Sequence, residues 1–341
     1  MKAAIFRGIG QIEVADVPRP EAGPGEALVR VGYCGICGSD LEAFHTGMYE
    51  PGLIVGHEFA GTIVEIGPGV SGWQVGDRVV ANDAIPCGAC GPCCAGRLDA
   101  CESLTMIGVT HDGAMAEVVT VAAGGLHSLP PTVTLRQGAL VEPLAVALHG
   151  VRRSRLKAGD RALVMGAGPI GLLTLQCALV AGARLAVVTE VDPVRAALAG
   201  RLGATAVLDP ARDNVSVALS DLTAGQGPDV VYICTGAPAA YVDAVSLVRK
   251  GGQIFVLGLC VEPVAADFMS VVMNDLCIEG SLAGREAFPA AIDLVAQRRV
   301  EVEALVSHEI GLDEVVTAGF HTLDMPGSGA VKILVRIGGE R

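Results

Sequence analysis

The sequence predicts an α/β protein in two parts, a β-rich part of short strands and a doubly wound parallel sheet. Two observations carry this. Residues 1–145 hold short alternating apolar runs, ALVRVGYCG, GTIVEIG, DRVVAN and AEVVTV, punctuated by Gly and Pro. From about Leu144 apolar runs instead alternate with helical stretches, the pattern of βαβ units.

The β-rich part reads as a barrel or sandwich carrying functional loops. In the second part the order is ALVMGA, a helix from Pro169, LAVVTE, a helix over Pro193–Leu202, AVLD, DVVYICTG, a helix over Tyr241–Val248, and GQIFVLG. After roughly Gly284 come a helix over Phe288–Gln297 and a strand KILVRI, which are expected to return to the first part. The expected boundaries are 1–147 and 285–341 for the β-rich domain and 148–284 for the parallel-sheet domain.

Composition narrows the function. The chain has 341 residues, 51% hydrophobic and 18% charged, enough for about two domains with large cores at ~150 residues each. Aromatics are 4%, so aliphatic side chains must fill those cores. A net charge of −13 disfavours nucleic acid and anionic membranes, which need basic patches. It leaves room for an anionic cofactor bound by backbone amides. Eleven cysteines, five of them within residues 87–101, do not read as a secreted disulfide framework. They point to reducing cytoplasm. The start, MKAAIFRGIG, lacks the form of a signal peptide. The longest apolar run, Ile170 to Ala183, is short of the ~20 residues of a membrane helix.

Cys87, Cys90, Cys93 and Cys101 are spaced to wrap four thiolates around one tetrahedral zinc. Such a site is closed and therefore structural. Cys94 reads as a bystander, and Cys34, Cys177, Cys234, Cys260 and Cys277 as packing residues. A second group is Cys37, in GICGSD, with His57 and Glu58, in GHEFAG. Thiolate, imidazole and carboxylate leave a fourth position open, as a catalytic zinc requires, and such a zinc acts as a Lewis acid on an alcohol oxygen.

Gly166-Ala-Gly168-Pro-Ile-Gly171 follows the strand ALVM and opens an apolar helix. The three glycines suit a tight turn, the approach of a pyrophosphate, and close helix–strand packing. Glu190 ends the next strand, 19 residues after Gly171. An acid there accepts from both ribose hydroxyls and repels a 2′-phosphate, which favours NAD over NADP.

With these motifs in hand, the chain resembles the zinc-dependent medium-chain dehydrogenases, in particular the sorbitol, butanediol and threonine dehydrogenase branch. The resemblance runs nearly end to end, and Gly56-His57-Glu58-x2-Gly61-x5-Gly67-x2-Val70 fits that family's zinc signature. It implies a GroES-like catalytic domain from both chain ends and a Rossmann domain between them. It also implies two zinc ions per chain, NAD, a small alcohol substrate, and a homo-oligomer, tetramer or dimer. By resemblance Cys37, His57 and Glu58 bind the catalytic zinc. Glu142, in VEPLAVALH, is the family's second glutamate, which ligates directly or through water. Ile170, Glu190, Arg195 and the turn Leu257-Gly258-Leu259 match positions that contact NAD.

Ser39, two residues after Cys37, is expected to take the alcohol proton. Many relatives then have a histidine three residues on; here Glu42 stands there, and it relays, yields to water, or contacts a polar substrate. His45 is offset by three residues and belongs to the loop. Ala283 and Gly284 fall where sorbitol-type relatives carry an Arg-Tyr pair. GSLA resembles the butanediol branch, Gly284-Arg285-Glu286 the threonine branch, and VEPLAV the polyol type. The expected substrate is a secondary alcohol with a polar neighbour. L-threonine oxidation is one alternative, a zinc-free quinone or enone reductase another, and a non-catalytic zinc- and nucleotide-binding scaffold a third.

Overall fold

The computed structural model describes residues 1–325 and 327–338. The chain divides into two units: residues 1–142, 288–297 and 306–341, and residues 143–287 with 298–305. Residues 143–147, 285–287 and 298–305 are expected in the β-rich part. They group with the parallel-sheet unit, where Glu301 N donates to Gln176 Oε1 at 2.7 Å.

The first unit is built on a seven-stranded sheet. Its order is Val306–Gly311, Lys332–Arg336, Glu26–Gly35, Glu58–Ile66, Arg78–Ala81 and Leu126–Ser128, with Val118–Ala122 also pairing Glu26–Gly35. Strand Glu26–Gly35 organises it. Residues 26–30 pair with Val118–Ala122 and residues 33–35 with the C-terminal strand, both antiparallel. KILVRI thus returns as expected, Leu334 lying opposite Gly35. The core beneath is aliphatic with a few rings, Phe6, Phe44, Phe59 and Phe320 among them, as the low aromatic content requires.

The second unit is a six-stranded, wholly parallel sheet. Its order is Ala206–Leu208, Leu185–Thr189, Arg161–Met165, Val230–Ile233, Gln253–Val256, Cys277–Gly280. This is the doubly wound order in which the first and fourth strands are neighbours, and ligands bind beyond the carboxyl ends there. Helix Pro169–Val180 is apolar all round and nearly fully buried, so it belongs to a sheet-covering layer.

Three elements of this unit escaped the sequence reading, helix Phe268–Met273 among them. Helix Val215–Leu222 is capped by Asn214, whose side chain accepts from Val217 N. Strand Cys277–Gly280 lies at the sheet edge. The helix expected from Tyr241 starts at Pro238, because proline is pre-organised for a first helical turn. Cys34, Cys177 and Cys234 are buried as packing residues should be, but Cys260 and Cys277 are only partly buried. No helix among the described residues is long and apolar enough to cross a membrane.

Candidate active site

In the first unit, helix Gly38–Thr46 presents Cys37 as its N-cap. Asp40, at the third helical position, accepts from Cys37 N at 3.0 Å and fixes the turn, as a capping-box acid does. His57 and Glu58 enter strand Glu58–Ile66 behind Gly56, which has φ 96°. A Cβ there would come within 2.6 Å of Met115 Cγ and 2.8 Å of Cys34 Sγ, so the turn needs glycine. Gly35 matters differently: a Cβ on it would collide with Glu58 Oε2.

Cys37, His57 and Glu58 offer ligand atoms that all lie within 4.8 Å of one another. His57 is 5% exposed and Glu58 1%. His57 Nδ1 has no hydrogen-bond partner and stands 3.8 Å from Asp40 Oδ1. Three convergent donors of this chemistry, with one nitrogen of a buried imidazole left unpaired, fit a zinc ion. Glu142 is buried nearby, but the three-residue set does not include it. Burial, and then the charge of Asp83, push its carboxyl well above the ordinary range.

Ser39 lies at the start of the same helix, half-buried, with Tyr49 Oη 3.4 Å from its Oγ. Tyr49 Oη is also 3.3 Å from Asp40 Oδ1. Glu42 follows one turn on and is half-buried. His45, expected in a loop, lies in the last turn of helix Gly38–Thr46, where its Nε2 pairs with an Asp324 oxygen at 2.9 Å. Sequence reasoning missed four residues around this site: Asp40, Tyr49, Asp83 and Lys332. The cap spacing could have found Asp40. Nothing local marks Lys332, which donates to both oxygens of Glu58 and to Ile36 O.

The four-cysteine loop is a second donor set. Cys87, Cys90, Cys93 and Cys101 also lie within 4.8 Å of one another. Backbone amides point at the sulfurs: Cys87 N and Ser103 N are 3.2 and 3.4 Å from Cys101 Sγ, and Cys90 N is 3.4 Å from Cys87 Sγ. The amides of Ala89 and then Cys90 lower the Cys87 thiol to about 6. Cys94 is exposed, points at Ala89 O, and lies outside the set.

In the second unit each glycine of the turn has a separate role. Gly166 has φ 95° and ends strand Arg161–Met165. Gly171 would collide with Gly166 O if it carried a Cβ. Gly168 caps helix Pro169–Val180 and has open space where its Cβ would be, as expected where a phosphate approaches. Ile170 is half-buried in the first turn of that helix. Glu190 closes the neighbouring strand, its Oε2 accepting from Ala167 N at 2.7 Å and its Oε1 from Val191 N and Asp192 N at 2.8 and 2.9 Å. Arg195 is half-buried in the helix capped by Asp192. Leu257 N and Gly258 N both donate to Ile233 O, and Leu259 is 59% exposed.

Residues 23–131 match the family model for the alcohol dehydrogenase GroES-like domain, and residues 169–297 that for zinc-binding dehydrogenases. Sorbitol dehydrogenase of Halalkalibacterium halodurans is 33% identical, over 98% of this chain and 99% of that protein. (R,R)-butanediol dehydrogenase of Bacillus subtilis is 34% identical, over 98% and 99%. A zinc-binding dehydrogenase of Sinorhizobium meliloti 1021, solved bound to NADP, superposes with a TM-score of 0.92 at 35% identity, covering 98% of each chain. Two donor sets in a GroES-like unit, a glycine-turn nucleotide fold and relatives matched over their whole length lead to one conclusion: the chain belongs to the zinc-dependent medium-chain dehydrogenase family and is an alcohol oxidoreductase.

Proposed function

We propose that this protein oxidises a secondary alcohol with a polar neighbour, a diol or polyol, to the ketone, with NAD as hydride acceptor. The overall change is alcohol plus NAD⁺ to ketone, NADH and a proton. The observation that carries it is the convergence of Cys37, His57 and Glu58 in a buried site. Those three would hold one zinc, with Glu142 beside it, and the four-cysteine loop a second. Bound zinc supplies a Lewis acid that acidifies an alcohol.

The chain's own residues handle the proton and the orientation. Ser39 Oγ accepts the hydroxyl proton, and Tyr49 Oη, near both Ser39 and Asp40, holds Ser39 in one rotamer. Glu42, one turn further, passes the proton outward. Asp40 holds the turn that presents Cys37, accepting from Cys37 N. On the cofactor side, Gly166, Gly168, Ile170 and Gly171 admit the pyrophosphate, and Glu190, with Arg195 nearby, takes the adenosine ribose. Leu257, Gly258 and Leu259 line the cofactor's path. Glu190 supports NAD: its charge opposes a 2′-phosphate, although one relative was solved with NADP.

Exposed apolar residues on helix Phe268–Met273, Phe268 and Val272 above all, beside edge strand Cys277–Gly280, support a homo-oligomer. The eleven unpaired thiols support a reducing, cytoplasmic setting.

The test is NADH formation by zinc-loaded protein with diols, polyols, L-threonine and simple secondary alcohols. Turnover of diols or polyols is expected. A zinc-replete protein that oxidises none of them would overturn the reading.

A further inference from the structure

Within the parallel-sheet unit a cavity of about 600 Å³ opens at the amino ends of the strands. Arg161 begins strand Arg161–Met165, Asp229 stands just before Val230–Ile233, and Arg249 and Lys250 stand just before Gln253–Val256. The glycine turn that suits a dinucleotide starts at Gly166, beyond the carboxyl end of the first of these strands. A five-residue strand, roughly 17 Å of extended chain, separates the two. No residue of that turn lines the cavity.

The lining is cationic, in a chain whose net charge is −13. Arg161, Arg249 and Lys250 contribute to it, with Ser216 and Ser220, one turn apart on helix Val215–Leu222, and no acidic residue lines it. The carboxylate of Asp229 backs the wall, accepting from Arg161 Nε and Nη2 and from Arg249 Nε. Three positive charges against this one negative charge leave an excess of two.

The arginines also keep donors in reserve. A guanidinium has five N–H groups. Arg161 commits three, two to Asp229 and one from Nη1 to Gln226 Oε1. Arg249 commits two, to Asp229 and to Lys250 O. Asp229 already fixes both guanidinium groups, so a ligand would not have to order them. Lys250, Ser216 and Ser220 are exposed. Oriented guanidinium N–H groups, an ammonium and two hydroxyls around one space are the donors that a phosphate group takes. The volume is that of a small-molecule site.

We propose that this cavity is a second anion site, separate from the dinucleotide turn, which binds free phosphate or the phosphate group of a small phosphorylated molecule. The inference does not depend on which alcohol the protein oxidises.

The test is isothermal titration of the zinc-loaded protein, with saturating NAD to occupy the glycine turn. The probes are inorganic phosphate and glucose 6-phosphate, against chloride at equal ionic strength. The variants are Lys250→Glu and Ser220→Glu, both at exposed positions where the fold is not at stake. Wild type should bind at least one of the two phosphates and should not bind chloride. Tighter binding of glucose 6-phosphate would assign the site to a phosphorylated metabolite, and tighter binding of inorganic phosphate to the free ion. Each variant should bind at least about tenfold more weakly, as the loss of a hydrogen bond between charged groups requires. Its zinc content and its Tm without phosphate should match wild type. Binding of neither phosphate by wild type, a response equalled by chloride, or affinities unchanged in both variants would overturn the inference.

Discussion

Lys332 and Glu58 form an ion pair sealed from water. Lys332 Nζ lies 2.7 and 2.6 Å from the two carboxylate oxygens, and the side chains are 2% and 1% exposed. The residues are 274 positions apart in sequence, and strand Lys332–Arg336 brings them together by pairing with Glu26–Gly35. Glu58 thus serves two partners: it belongs to the three-donor set and to this pair.

Removing one half of such a pair leaves a buried charge uncompensated, at a cost of roughly 3–5 kcal/mol. With the catalytic zinc removed, so that nothing else offsets Glu58, Lys332→Met should lose about that much stability in urea unfolding. The Lys332→Met, Glu58→Gln double variant should recover most of it. A single variant within about 1 kcal/mol of wild type would show that the pair contributes little.

A second buried cluster gives a pH prediction. Asp229 accepts from Arg161 Nε at 2.8 Å and Arg249 Nε at 2.6 Å, and its side chain is 9% exposed. Burial raises its carboxyl, but the hydrogen bonds from Arg161 and Arg249 outweigh burial and hold it well below the usual carboxylate range. A depressed folded-state pKa contributes stability above the unfolded value of ~3.9 and loses it as pH falls through the folded value. Asp229→Asn should therefore cost about 3 kcal/mol at pH 7, and the gap to wild type should hold to about pH 4.5 and narrow below ~3.9. Urea midpoints at pH 7, 4.5 and 3 test this. A gap that widens on acidification would contradict the sign.

The parts of this protein that were legible in sequence are those fixed by neighbouring residues. Gly166, Gly168 and Gly171 could be given separate roles because a turn, an approach and a packing contact each impose a local steric demand. Cys87, Cys90, Cys93 and Cys101 were legible because a closed loop sets their spacing. Lys332, Tyr49 and Asp83 were not, since their meaning comes from partners on other strands and turns. Helix Val215–Leu222 was missed because its signal, one Asn cap over two turns of mixed apolar residues, is weak beside the buried strands. Edge strand Cys277–Gly280 has four half-buried or exposed residues and no apolar run.

The cysteine loop predicts a metal count. Wild type should carry two zinc ions per chain by elemental analysis. Cys90→Ser should keep one, because four thiolates close the loop's shell and three hold the ion less well. The loop should then become the first region cut by protease. A Cys37→Ser variant should also carry one zinc, but with the loop intact and turnover lost by at least about a thousandfold, since loss of a Lewis acid removes several kcal/mol of stabilisation. Two zincs retained in Cys90→Ser would mean that the exposed neighbour Cys94 takes its place.

Glu190 makes the last prediction, through the way its carboxylate is held. Oε2 is pinned by Ala167 N in the glycine turn, and Oε1 by Val191 N and Asp192 N beyond the strand. Three amides fix the group at the end of strand Leu185–Thr189, and its position does not depend on a bound nucleotide. A fixed carboxylate there accepts from ribose hydroxyls and repels a 2′-phosphate. Glu190→Ser removes both effects and leaves a short hydroxyl. Its kcat/KM with NAD should fall about tenfold or more, by the loss of hydrogen bonds to a charged group. Its kcat/KM with NADP should rise, so that the NAD-to-NADP ratio collapses by at least about a hundredfold. The backbone amides freed at Ala167, Val191 and Asp192 remain accessible to a phosphate and add to the gain. Steady-state kinetics with both cofactors at fixed alcohol measure the ratio. An unchanged ratio in a variant of normal Tm would remove Glu190 from cofactor choice.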